Sequence, residues 1–105
     1  MSMIDRLEGM LQSGRDDAML RFGLGSAYFN ENRFEEAAEH LSQCLAQDEN
    51  YSAAYKLLGK SLFKLDRFDE AGEVFERGLE AATAQGDKQS EKEIRVFLKK
   101  LERNT

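Results

Sequence analysis

The chain has no proline and no tryptophan, and among its 105 residues there is one cysteine, Cys44, and one histidine, His40. A lone cysteine rules out an internal disulfide and any site built from several thiolates. With one histidine as well, the common zinc sets and the Ser-His-Asp or Cys-His arrangements run short of members. The eight glycines are scattered, so no flexible linker or phosphate-cradling loop can be drawn from them. Long apolar runs are missing too. Asp5, Arg6 and Glu8 interrupt residues 1–13, where a signal peptide would need an unbroken apolar stretch, and no window reaches the roughly 18–20 apolar residues of a membrane span. These absences lead us to expect a cytoplasmic protein with no catalytic residues, no cofactor, no metal and no membrane partner.

The hydrophobic fraction is 41% and the charged fraction 33%, which suits one folded domain rather than a disordered chain. The net charge of −5 argues against nucleic acid as a partner. Charge is also unevenly spread: residues 1–50 hold four basic and ten acidic side chains, residues 51–105 eleven and ten.

Sliding the sequence by 34 residues reveals a repeat. Leu24, Gly25, Phe29, Arg33, Phe34, Glu36, Ala37, Glu39 and Leu45 fall on Leu58, Gly59, Phe63, Arg67, Phe68, Glu70, Ala71, Glu73 and Leu79, nine identities without a gap. The units are 18–51 and 52–85. In the second, Tyr55, Leu58, Gly59 and Leu62 lie at i, i+3, i+4, i+7, and Phe68, Ala71, Phe75, Gly78 and Leu79 continue that rhythm, so each unit reads as two helices. Gly25 and Gly59, with Ala37 and Ala71, mark where the two helices approach closely, and Phe34 and Phe68 plug the hairpin near its turn. Asn32 before Glu35, and Asp66 before Asp69, read as helix N-caps.

On these residues the units resemble tetratricopeptide repeats, whose signature is W-x2-L-G-x2-Y, then A-x3-F, then P. Unit one supplies Leu24-Gly25, Tyr28, Ala37 and Leu41; unit two supplies Tyr55, Leu58-Gly59, Leu62, Ala71 and Phe75. Arg21 stands at the Trp place, and Glu49 and Thr83 at the Pro places. The flanks continue the frame. Leu7, Met10 and Leu11 fall on Leu41, Cys44 and Leu45, so residues 1–16 read as a half repeat, the second helix of a unit. Ile94, Phe97, Leu98 and Leu101 carry the core spacing of a first helix, so residues 87–104 read as a cap covering Phe75 and Leu79. The expected fold is all-α, a right-handed solenoid of antiparallel hairpins with about six helices.

The resemblance implies a groove, lined by the first helices, that binds a peptide. Its residues would be Met19, Phe22, Ser26, Phe29 and Asn30, then Ala53, Lys56, Lys60, Phe63 and Lys64, then Lys92, Arg95, Lys99 and Arg103. Such a groove grades from apolar to basic and would take an anionic segment of another protein; the competing reading is a solvated face of long lysines. Phe63 reads as a packing residue, while for Phe22 packing and partner contact both stand. The Lys and Asn pair with which some relatives grip a terminal carboxylate is replaced here by Phe22 and Ser26. Among the acids, Glu35, Glu36, Glu39 and His40 read as a solvated face, and Cys44 as an inert packed thiol. The function expected is an interaction adaptor, monomeric or weakly dimeric; the alternative is a structural protein that self-associates through its terminal helices.

Overall fold

The computed structural model describes residues 1–103, and within them the chain is six helices with no strand: α1 (Met3–Gln12), α2 (Ala18–Asn30), α3 (Phe34–Gln47), α4 (Ser52–Lys64), α5 (Phe68–Gln85) and α6 (Lys88–Arg103). The expected end of the cap at Asn104 lies outside the described residues. Each helix packs on the next, and the contacts α2 to α4 and α4 to α6 add the second layer of a solenoid of hairpins. No described helix is long and apolar enough to cross a membrane.

The two hairpins close in the same way. Asn32 and Asp66 both have φ of 60°, the left-handed region that short polar side chains tolerate best. They therefore end α2 and α4; they do not cap α3 and α5, whose N-cap residues are Arg33 and Arg67 with no side-chain cap bond. The backbone N–H of Arg33 donates to the Tyr28 carbonyl and that of Arg67 to the Leu62 carbonyl, both at 2.9 Å, which satisfies carbonyls at the helix end. The same two arginines turn back to Glu36 (2.8 Å) and Glu70 (2.6 Å). Phe34 meets Phe29 edge-on at 5.3 Å, and Phe68 meets Phe63 likewise at 5.3 Å, the aromatic plug expected near each turn.

Glycine sets the spacing inside each hairpin. A Cβ on Gly25 would lie 2.5 Å from Leu41 Cγ, and one on Gly59 would enter the Phe75 ring. Leu41, Phe75, Ala37, Ala71 and Cys44 are all fully buried as a result. At the missing Pro places the chain uses other devices. Asp48 accepts from the Asn50 N–H at 3.0 Å, and the Tyr55 hydroxyl donates to the Glu49 carbonyl at 2.8 Å. With no proline near Thr83, α5 runs on to 18 residues and stops at Gly86, whose φ is 71°.

The ends differ. At the carboxy-terminal end, Phe97 stacks on Phe75 at 5.4 Å and Ile94 is fully buried. At the amino-terminal end, α1 begins with a capping box between Ser2 and Asp5 and buries Ile4. Leu7 and Leu11 are half-buried, but Met10, expected on the same face, is 40% exposed because no first helix covers it.

Candidate functional site

The first-type helices α2, α4 and α6 lie side by side, and Lys60 at the middle of α4 shows how their faces join. Its ammonium sits 5.5 Å from the centroid of the Phe29 ring on α2 and 5.5 Å from that of Phe97 on α6. Phe97 reaches Phe63 edge-on at 6.2 Å. One cation framed by aromatic rings thus links all three helices. The spacing of Phe97 places it in the core, and it also forms one wall of this surface.

The other expected groove residues divide. Phe22 is half-buried and stacks on Tyr51 at 4.8 Å, so its ring packs where α4 begins. Met19 is 69% exposed. Ser26 and Asn30 line a cleft with Met3 and Ile4 of α1. Ala53 and Phe63 are half-buried, while Lys64, Lys92, Lys99 and Arg103 are exposed.

The expected run of cations is interrupted. Lys56 pairs with Glu93 at 3.1 Å and Arg95 with Glu91 at 3.2 Å, so acids of α6 neutralise two of the seven basic groove residues. Counting positions in the register of the first-type helix had selected only the basic side chains of α6. Glu93 reaches Lys56 because α6 packs against α4, whereas Glu91 meets Arg95 one turn along α6 itself. The start of α6 is fixed by Asp87, which accepts from the Ser52 hydroxyl at 2.7 Å and from the Ser90 N–H at 3.1 Å. Those bonds hold the Asp87 carboxyl down to about 2.

A second polar cluster joins α1, α2 and α3, and here the reading of His40 as a solvated residue is corrected: His40 is 9% exposed. Its ring stacks on Tyr28 at 5.4 Å. Arg21, at the signature Trp place, fills the space beside it and approaches His40 Nδ1 at 3.1 Å. A guanidinium can only donate, so Nδ1 accepts and the neutral ring carries its proton on Nε2, facing Glu8 at 3.8 Å. The Tyr28 hydroxyl donates to Glu8 at 2.5 Å, which pushes the phenol up to about 12. Asp16 receives Arg21 through two bonds of 2.9 Å and Gln47 at 2.8 Å, and its pKa lies well below the usual carboxylate range. Burial lowers the His40 pKa against the pull of Glu8. Cys44 is pushed up to about 11 by burial, the behaviour of an unreactive packed thiol. Among the described residues, no group of three His, Cys, Asp or Glu is arranged to hold a metal ion.

With this geometry in view, the comparisons with known proteins are consistent with the fold. The tetratricopeptide repeat family matches residues 28–88. A tetratricopeptide repeat-containing protein of Pseudomonas aeruginosa is 50% identical over 101 residues, 96% of each chain. A solution structure of a protein from Bordetella parapertussis is similar with a TM-score of 0.85 at 41% identity, covering 99% of this chain and 90% of that one. The TPR2B domain of yeast Sti1, solved as a complex with pHsp70, has a TM-score of 0.88 at 17% identity, covering 97% of this chain and 82% of the other, a likeness of fold alone.

Proposed function

This chain belongs to the tetratricopeptide repeat family, and we propose that it is a protein-interaction module, not an enzyme, whose first-type helices take up a peptide segment of another protein. The observation that carries the reading is Lys60, set between the rings of Phe29 and Phe97 on the two neighbouring helices. A surface of one cation among aromatic rings suits a segment that carries an apolar side chain next to a carboxylate, since the rings bury the one and Lys60 pairs with the other. The Sti1 domain of similar fold was solved as a complex with pHsp70, which supports the general mode.

The preference for an anion rests on fewer cations than the sequence alone implied. Lys56 and Arg95 already have acidic partners, so Lys60, with exposed Lys64 and Lys99 as additional cations, carries the charge of the site. Met19 offers an exposed apolar contact on α2, and Phe22, Ser26 and Asn30 serve mainly to shape the helix packing at that end. Residues 18–51 and 52–85 act as two repeats that hold this surface, with 1–16 and 87–104 as flanking half repeats.

The test is selection of peptides from a displayed random library by the immobilised full chain, followed by affinity measurement by fluorescence anisotropy. Selected peptides should be enriched in acidic and bulky apolar residues, and K60E should weaken their binding at least tenfold while leaving the circular dichroism unchanged. Binding should also weaken with added salt. Peptides that bind K60E as tightly as the parent chain would sink the groove assignment.

A further inference from the structure

The two ends of the solenoid are incomplete in opposite senses. The α1 helix is a second-type helix without its first, and α6 is a first-type helix without its second. The exposed methionines mark the first deficit. Shifted by the 34-residue repeat, Met3 and Met10 fall on Ala37 and Cys44, and one repeat further on Ala71 and Gly78. Those four positions are buried inside their hairpins, whereas Met3 is 61% and Met10 40% exposed. The second deficit is a cleft of ≈ 360 Å³ between α5 and α6, walled by Phe68, Gly72, Leu98 and Leu101 and edged by Glu73 and Glu76.

The internal junction indicates what faces such a cleft. One repeat earlier, the corresponding positions on α3 are Ala38, Glu39 and Ser42, and Val74 of α5 lies with them along the same cavity. Two repeats before Val74 stands Arg6. At the open end the partners of that place are Gly72, Glu73 and Glu76, so Ser42 has become an acid where Val74 has become a base. Arg6 is exposed and makes no ion pair among the described residues, and neither do Glu73 and Glu76.

From this complementarity we propose that the chain assembles head to tail, with α1 of one copy seated in the α5–α6 cleft of the next and Arg6 paired with Glu73 and Glu76. Leu98 occupies the place where Gly25 and Gly59 receive Leu41 and Phe75, so the docked helix stands further out than in an internal hairpin. The flexible side chains of Met3 and Met10 fill that gap. The contact is heterologous, so it leaves a free end at each step and continues beyond a dimer. It uses the two ends of the molecule, does not rest on the groove reading, and leaves Lys60 accessible.

Sedimentation equilibrium of the full chain tests it. The average mass should rise with concentration past the dimer value. R6E alone and E73R/E76R alone should each lose that rise, because each sets like charges against one another, and the two variants mixed should recover it as alternating copies, since both junctions are then matched in charge. A parent chain that stays monomeric at every concentration reached would overturn the proposal. Association that survives in each charge variant alone would also overturn it, as a two-fold pairing through other residues.

Discussion

Replacing Gly25 by alanine sets two effects of known sign against each other. In a helix interior alanine is favoured over glycine by about 1 kcal/mol, so a site with free space should gain stability. At Gly25 there is none: the new methyl would meet Leu41 Cγ at 2.5 Å and Cδ2 at 2.6 Å, about 1 Å inside ordinary contact. Leu41 is fully buried and cannot swing away, so α2 and α3 must separate. Overpacking of this kind costs ~1–3 kcal/mol or more, and with backbone movement along a whole hairpin we place G25A near a net loss of ~2 kcal/mol. For a domain of this length that corresponds to a melting temperature lower by ~8–16 °C. Gly9 is the control, since it also lies within a helix but has nothing within 4 Å of its Cβ direction; G9A should raise stability by up to ~1 kcal/mol. Urea and thermal unfolding followed at 222 nm decide the matter. The two substitutions should also be non-additive: L41A opens the space, so adding G25A to L41A should cost almost nothing. If G25A is neutral, or costs as much with Leu41 present as without it, the close approach of the helices is not what the glycine serves.

The remaining expectations concern the cap and the buried histidine. Ile94 is fully buried against α5, so I94A should cost ~2–5 kcal/mol, and truncation after Gly86 should leave Phe75 and Leu79 uncovered and the chain aggregated or unfolded. A truncated chain that melts like the parent would mean that α6 is no cap. His40 has a pKa held below its usual value of about 6.5, first by burial and also by Arg21, with Glu8, Glu39 and Asp16 pulling the other way. The unfolded chain therefore takes up the proton first. Stability is full above about pH 6.5 and declines as the pH falls through the window down to the folded pKa. The urea midpoint should drop between neutral and mildly acidic pH in the parent and drop less in H40Q; equal slopes would remove His40 as the cause.

Most of the fold was legible because it depends on positions that repeat. Gly25 and Gly59, Phe34 and Phe68, Ala37 and Ala71 recur at a fixed interval, and each performs the same packing task in both hairpins. Periodicity also placed Ile94 and Leu101 in the core. The turns were misread for a local reason. Asn before a glutamate reads as an N-cap, yet the same short polar side chain suits a left-handed residue closing the previous helix, and only the backbone distinguishes the two. His40 was misread because its acidic neighbours Glu35 and Glu39 do point outward. Its place in the frame is that of Val74, however, and the 34-residue shift already held that signal.

The candidate site was less legible because it is made between repeats, where a single-helix pattern has nothing to say. Lysines at i, i+4, i+8 do share a face of α4, and on that spacing the groove grades to basic. What a strip amounts to depends on the helix next to it. Glu93 comes within 3.1 Å of Lys56 only because Asp87 and Ser52 tie the start of α6 to the start of α4. Lys60, one turn on, meets Phe29 and Phe97 instead of an acid. Two lysines four residues apart, alike in sequence context, thus acquire different roles. One pairs with the cap, and the other is the residue we propose for a partner. The division predicts opposite signatures on charge reversal: K56E should set two acids together and lower stability, whereas K60E should leave stability nearly unchanged and reduce binding. Should both substitutions act on stability alone, Lys60 belongs to the packing of the three helices and the partner docks elsewhere.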